Sequence, residues 1–186
     1  MNGRVMTMKS AADFERMATA GACVAAIHAA VREAAVPGIS MRELDAISAS
    51  VLREHDCRSS FLGYHGFPAT ICASPNEVIV HGIPNDYRLR DGDVLSIDAG
   101  AIFEGWHGDA AFTMAVGEVP PEIERLIEVT ERALWNGIVQ ARHGNRLGDV
   151  GHAIEATAAP HNFGVVREYI GHGIGQQMHE APEVPN

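Results

Sequence analysis

Residues 94–103 read VLSIDAGAIF, residues 106–116 read WHGDAAFTMAV, and Glu104-Gly105 stands between them. The periodicity of the two stretches and the two-residue turn predict a β-hairpin. Such a turn pairs Phe103 with Trp106, which sets Asp98 opposite Ala111 and Asp109 opposite Gly100. The two carboxylates are then diagonal neighbours on one face. Like charges that close repel unless a cation sits between them. A divalent metal pair answers that need, since carboxylates bridge ions about 3.5–4 Å apart. The competing reading is two solvated aspartates on an exposed face. Ile97, Ala99 and Ala101 set against Asp98, Gly100 and Ile102 leave open which face is buried.

Upstream, Ser10 and Asp13 read as a capping box opening a helix. Its expected stripe is Phe14, Met17, Ala18, Gly21, Val24, Ala25, His28 and Val31, and Pro37-Gly38 stops it. Ser40 and Glu43 open a second helix with Met41, Leu44, Ile47, Val51 and Leu52 on its apolar side. Residues 70–81 are β-rich, and EVIVHGIP reads as a strand that ends at His81. Downstream, Pro120-Pro121-Glu122 opens a third helix, whose apolar side is Ile123, Leu126, Ile127, Thr130, Leu134, Ile138 and Val139. A fourth covers about 147–159, and VVREYIGHGIG reads as a strand entering a Gly-rich turn.

This order repeats. A shift of 106 residues lays Gly38 on Gly144, Glu43 on Asp149 and Leu44 on Val150, which suggests an internal duplication. The second half lacks a counterpart of the 94–116 hairpin, because the sequence stops at EAPEVPN. The expected organisation is a leader over 1–9 and a single domain over 10–186 that lacks its C-terminal strands.

The 186 residues carry a formal charge of −10 and suit one globular domain. That charge argues against nucleic acid as a direct partner. Cys23, Cys57 and Cys72 lack the spacing of a zinc ribbon or a redox pair. With no secretory signal and no run of 18 apolar residues, the cytoplasm is the expected compartment and no membrane is expected as a partner.

The remaining chemistry lies in histidines. GHGIG places His172 among three glycines, with His179 seven residues on. Imidazole with carboxylate suits zinc, iron, cobalt or manganese. His81, in HGIP, is placed for a site rather than for packing.

LGYHGFPATICASPNEVIVHGIPNDYRLRDGDVLSIDAG (62–100), WHGDAAFT (106–113) and VVREYIGHGIGQQMHEAPEVPN (165–186) together resemble type I methionine aminopeptidases of the pita-bread metallopeptidase superfamily. The resemblance implies an α+β pita-bread fold: two pseudo-symmetric helix–helix–strand halves around a curved antiparallel sheet, the second half incomplete. It implies Asp98, Asp109 and His172 as ligands of two divalent ions (Co, Mn, Fe or Zn). His81 and His179 would act on the substrate, His179 at the scissile carbonyl and His81 near the peptide nitrogen. A metal-bound hydroxide would then remove the N-terminal methionine of nascent proteins and peptides. Phe61, Tyr64, Phe67, Cys72 and Met178 would line the methionine pocket, with ordinary core packing as their other reading, and His65 would lie one layer behind. The family's two further glutamate ligands would lie beyond Asn186, so the site is expected to be incomplete and the 186 residues alone inactive. The implied partner is a nascent peptide N-terminus, with the ribosome contacted only through the domain itself. The rival readings are an inactive paralogue that binds peptide N-termini or a partner without hydrolysis, and a proline-directed peptidase.

Overall fold

The computed structural model describes residues 6–186. Of the leader expected over 1–9, residues 1–5 lie outside the described residues, and residues 6–10 carry no regular structure. The chain forms two compact units. The larger comprises residues 8–119 and 174–178; the smaller comprises residues 120–173 and 179–186, with residues 6 and 7.

In the larger unit, α1 (Ala11–Ala34) and α2 (Met41–Glu54) each open on a capping box, Ser10 with Asp13 and Ser40 with Glu43. Each box satisfies backbone N–H groups that a helix start leaves unpaired. The buried face of α1 is Ala20, Cys23, Val24, Ile27 and Val31, and Phe14 is exposed. The expected stripe was therefore partly misplaced: α1 is alanine-rich, and apolar positions spread around its circumference mark no single face. On α2 the buried residues Met41, Leu44, Val51 and Leu52 follow the expected stripe.

Strands β3 (Asp93–Phe103) and β4 (Trp106–Val116) form the hairpin, with Asp98 opposite Ala111 and Gly100 opposite Asp109. Glu104 and Gly105 both have positive φ, 46° and 83°, the signature of a type I′ turn. Because β4 pairs along the whole of β3, β1 (Arg58–Ser59) and β2 (Ile71–Pro75) share its other edge. Asp45 on α2 fixes the start of β2, its Oδ1 accepting from Thr70 N–H and Oγ1 (2.7 Å each) and from Ile71 N–H (3.2 Å). Leu95, Ile97, Ala99 and Ala101 are fully buried against α1 and α2 in one core.

EVIVHGIP is not a strand. β2 ends at Pro75, and the chain turns at Asn76 (φ 51°), whose side chain donates to Asp93 and accepts from Val94 N–H. Those bonds bend the backbone off the sheet and leave Val78, Ile79 and Val80 exposed.

In the smaller unit, α3 (Pro121–Gln140) packs on α4 (Leu147–Ala158) through Val129, Ala133 and Gly137, which are small and spaced four apart. The expected apolar side is largely exposed: Leu134 is 49% and Val139 62% accessible. The two helices meet along the small-residue row because it admits the closest approach. Strands β5 (Gly171–Gly173) and β6 (Glu180–Val184) form a two-stranded antiparallel pair. VVREYI, expected as strand, precedes β5 as irregular chain, since β6 pairs only with residues 171–173.

The duplication markers occupy equivalent places. Gly38 and Gly144 have φ of 100° and 92°. Glu43 and Asp149 both close capping boxes, and Leu44 and Val150 are both buried. Among the described residues no helix is long and apolar enough to cross a membrane.

Ile97→Ala removes a fully buried side chain from the core face of β3. It is expected to cost about 2–5 kcal/mol, read as a lower urea midpoint at unchanged slope.

Candidate metal centre

The burial of Ile97 and its neighbours decides which face of the hairpin is core. Ser96, Asp98 and Gly100 of β3 share the other face with His107, Asp109 and Thr113 of β4. Asp98 and Asp109 are half-buried there, so they are not a solvated surface pair. Their carboxyls hydrogen-bond to each other, and Oδ1 of Asp109 is buried outside that bond. Burial pushes the Asp109 carboxyl up to about 6, and the bond from Asp98 acts in the opposite sense. Two carboxyls hydrogen-bond only while they share a proton, and a divalent cation is the alternative charge that can occupy such a pair. The donor set therefore fits a metal.

Cys72 lies opposite Asp98 on β2 and faces the same way. Burial and the charges of Asp98 and Asp109 raise its thiol to about 12, so it stays protonated at neutral pH. It belongs to an apolar cluster with Phe61, Met178 and Phe67. Four of the five expected pocket residues are thus brought together. Tyr64 is not among them: it is exposed on the Tyr64–Gly66 turn, its ring 4.4 Å from that of His65. His81 is exposed beyond β2 with φ 58°, a left-handed conformation uncommon outside glycine and found at functional sites. The adjacent Gly82 carbonyl accepts from Ala73 N–H at 2.9 Å, which holds that segment to β2.

In the smaller unit, His172 and His179 come together with ring centroids 4.2 Å apart. His172 Nδ1 lies 2.9 Å from the Gly173 carbonyl. A carbonyl can only accept, so Nδ1 carries the proton and the lone pair is on Nε2, the form that binds metal. A Cβ on Gly173 would stand 2.4 Å from the Ala181 carbonyl oxygen, so only glycine lets β6 approach at this point. Glu183 pairs with His172, and Glu180 accepts from Thr7 Oγ1 at 2.6 Å. Among the described residues, no three His, Cys, Asp or Glu side chains are placed to hold one metal ion.

Sequence reasoning missed His107 and Ser60. His107 is buried on the carboxylate face, and its Nδ1 lies 2.9 Å from the buried Ser60 Oγ. Strand alternation was the available signal, because His107 stands two residues before Asp109.

The raised Asp109 carboxyl has a consequence for the metal-free protein. A folded-state value near 6 against the ordinary 3.8 means that the folded chain holds the proton more tightly. Its contribution to stability is complete below about pH 4 and is lost as pH rises through 6. Asp109→Asn is therefore expected to stabilise the chelator-treated protein at pH 8 by about 1–3 kcal/mol. In urea unfolding the gap should close by pH 4.

Residues 15–186 match Metallopeptidase family M24. Methionine aminopeptidase 1 of Mycobacterium tuberculosis is 51% identical over 190 residues, which cover 98% of this chain and 71% of that protein. Methionine aminopeptidase 1 of Bacillus subtilis is 45% identical over 170 residues, covering 91% and 68%. The crystal structure of methionine aminopeptidase from Thermotoga maritima superposes with a TM-score of 0.96 at 36% identity, covering 98% of this chain and 74% of that one. Prolidase from Pyrococcus furiosus, 20% identical with a TM-score of 0.83, shares the fold. The chain belongs to metallopeptidase family M24, among its methionine aminopeptidases, with the pita-bread fold and the divalent-metal dependence of that family.

Proposed function

We propose that the protein removes N-terminal methionine from nascent proteins and peptides in the cytoplasm, using two divalent ions drawn from cobalt, manganese, iron and zinc. The observation that carries this reading is the juxtaposition of a hydrogen-bonded carboxyl pair with an apolar cluster of two phenylalanines, a thiol and a thioether. The pair suits a dication, and the cluster suits a methionine side chain.

Asp98 and Asp109 would hold metal on the open face of the β3–β4 hairpin, and His172 offers Nε2 as a further metal donor in the smaller unit. When bound, the metal supplies a nucleophile from water at neutral pH and polarises the scissile carbonyl. The remaining work falls to the chain. Phe61, Phe67, Cys72 and Met178 bury the methionine side chain and exclude water around it. Cys72, held as a thiol, adds polarisable surface without charge. His179 donates to the developing oxyanion of the scissile carbonyl, and His81 bonds near the peptide nitrogen.

The test is hydrolysis of Met-Ala-Ser by the full-length protein that carries these 186 residues, with added Mn²⁺ or Co²⁺, which a chelator should abolish; the 186 residues alone are expected to be inactive. Capture of the tripeptide without cleavage would favour a binding paralogue instead. Asp109→Asn should weaken Mn²⁺ binding in calorimetry at least tenfold, whereas Asp149→Asn, at the start of α4, should leave it unchanged. His179→Ala should lower kcat by roughly 10²–10³, the loss expected for one oxyanion donor, while the metal stays bound. Loss of the metal in that variant would make His179 a ligand.

A further inference from the structure

His107 is 9% and Ser60 4% accessible, and the His107 Nδ1 to Ser60 Oγ contact of 2.9 Å joins two elements far apart in sequence. Ser60 is bound to the same strand pair by its backbone, its N–H donating to the Gly100 carbonyl at 2.9 Å. Gly100 is the register partner of Asp109 and stands two residues from Asp98. A Cβ on Gly100 would lie 2.7 Å from Ser60 Cβ and 2.9 Å from the Phe61 ring. Phe61 therefore lies directly over Gly100, the cross-strand partner of Asp109. The backbone of His107 is also tied to the segment that precedes Met178. Its backbone N–H donates to the Gly175 carbonyl at 2.8 Å, three residues before Met178.

We propose that His107 is a positioning residue that clamps the Phe61 and Met178 walls of the methionine pocket to the carboxylate strand, and so sets side-chain selectivity. The proposal rests on the aminopeptidase reading above. The side chain of His107 holds the Phe61 wall through Ser60, and its backbone holds the loop that leads to Met178. Without the Ser60 bond the Phe61 wall can move, the pocket widens, and a branched side chain is admitted beside the linear one.

The experiment compares wild type, His107→Ala, Ser60→Ala and His107→Asn, using Met-Ala-Ser and Leu-Ala-Ser with Mn²⁺. Calorimetry of Mn²⁺ and of free L-methionine accompanies the kinetics. Asn places a polar atom where Nδ1 of His107 stands, so it can keep the Ser60 bond. His107→Ala and Ser60→Ala should each raise KM for the methionyl peptide and the Kd of L-methionine about tenfold, and lower the Met-to-Leu ratio of kcat/KM at least about fivefold. Mn²⁺ affinity should stay within about twofold. His107→Asn should restore most of the ratio. An unchanged ratio in Ser60→Ala, or a His107→Asn as defective as His107→Ala, would overturn the proposal even if His107→Ala itself failed to fold. All variants are made in the full-length protein that carries these 186 residues; full-length wild type that cleaves neither peptide would overturn the aminopeptidase reading, and this proposal with it.

Discussion

Glu104 and Gly105 both take positive φ, and the type I′ turn they make sets the register of the whole β3–β4 hairpin. Side chains alternate along a strand, so a slip of one residue would exchange the two faces. In the observed register one face is Leu95, Ile97, Ala99 and Ala101, sealed under α1 and α2. The same register gathers Asp98, Asp109 and His107 on the other face. It also places Cys72 beside the carboxylates, through the pairing of β2 with β3. The core and the candidate metal centre of the larger unit are thus two sides of one constraint. The core face holds the register against slippage, and the polar face alone could not.

That arrangement stabilises a site at some expense to the metal-free fold. Burial disfavours ionisation of Asp109, and the bond to Asp98 only partly offsets it. A carboxyl pair of this kind is an unfavourable element of a fold and a favourable element of a cation site. The apolar cluster of Phe61, Phe67 and Met178 reaches the pair's surroundings through Cys72, which stands opposite Asp98 on β2.

The hairpin and its two aspartates were legible in the sequence because a two-residue turn and a period of two leave little freedom in pairing. The capping boxes at Ser10 and Ser40 were legible for the same reason: a local hydrogen-bond pattern has a fixed spacing. What was not legible depended on tertiary choice. EVIVHGIP has strand composition, yet bonds from Asn76 to Asp93 and Val94 turn the chain away first. The stripe on α3 was identified by hydrophobicity, but α3 meets α4 through Val129, Ala133 and Gly137, where small size matters more than apolar area. His107 escaped notice because its importance lies in a partner, Ser60, 47 residues away, and no local pattern announces such a pair.

The duplicated frame carries different chemistry in its two copies. Equivalent glycines turn the chain between the paired helices at Gly38 and Gly144, and equivalent acidic residues cap the second helix of each pair. After that point the copies diverge. The first continues into a long hairpin that holds two carboxyls at hydrogen-bond distance. The second continues into a three-residue strand whose glycine neighbours admit β6 closely and fix the His172 tautomer through the Gly173 carbonyl. A carboxylate needs a partner strand to fix its position, whereas an imidazole can be oriented by a single carbonyl bond to its own chain. The long hairpin and the short glycine-flanked strand are therefore each suited to the side-chain type they present.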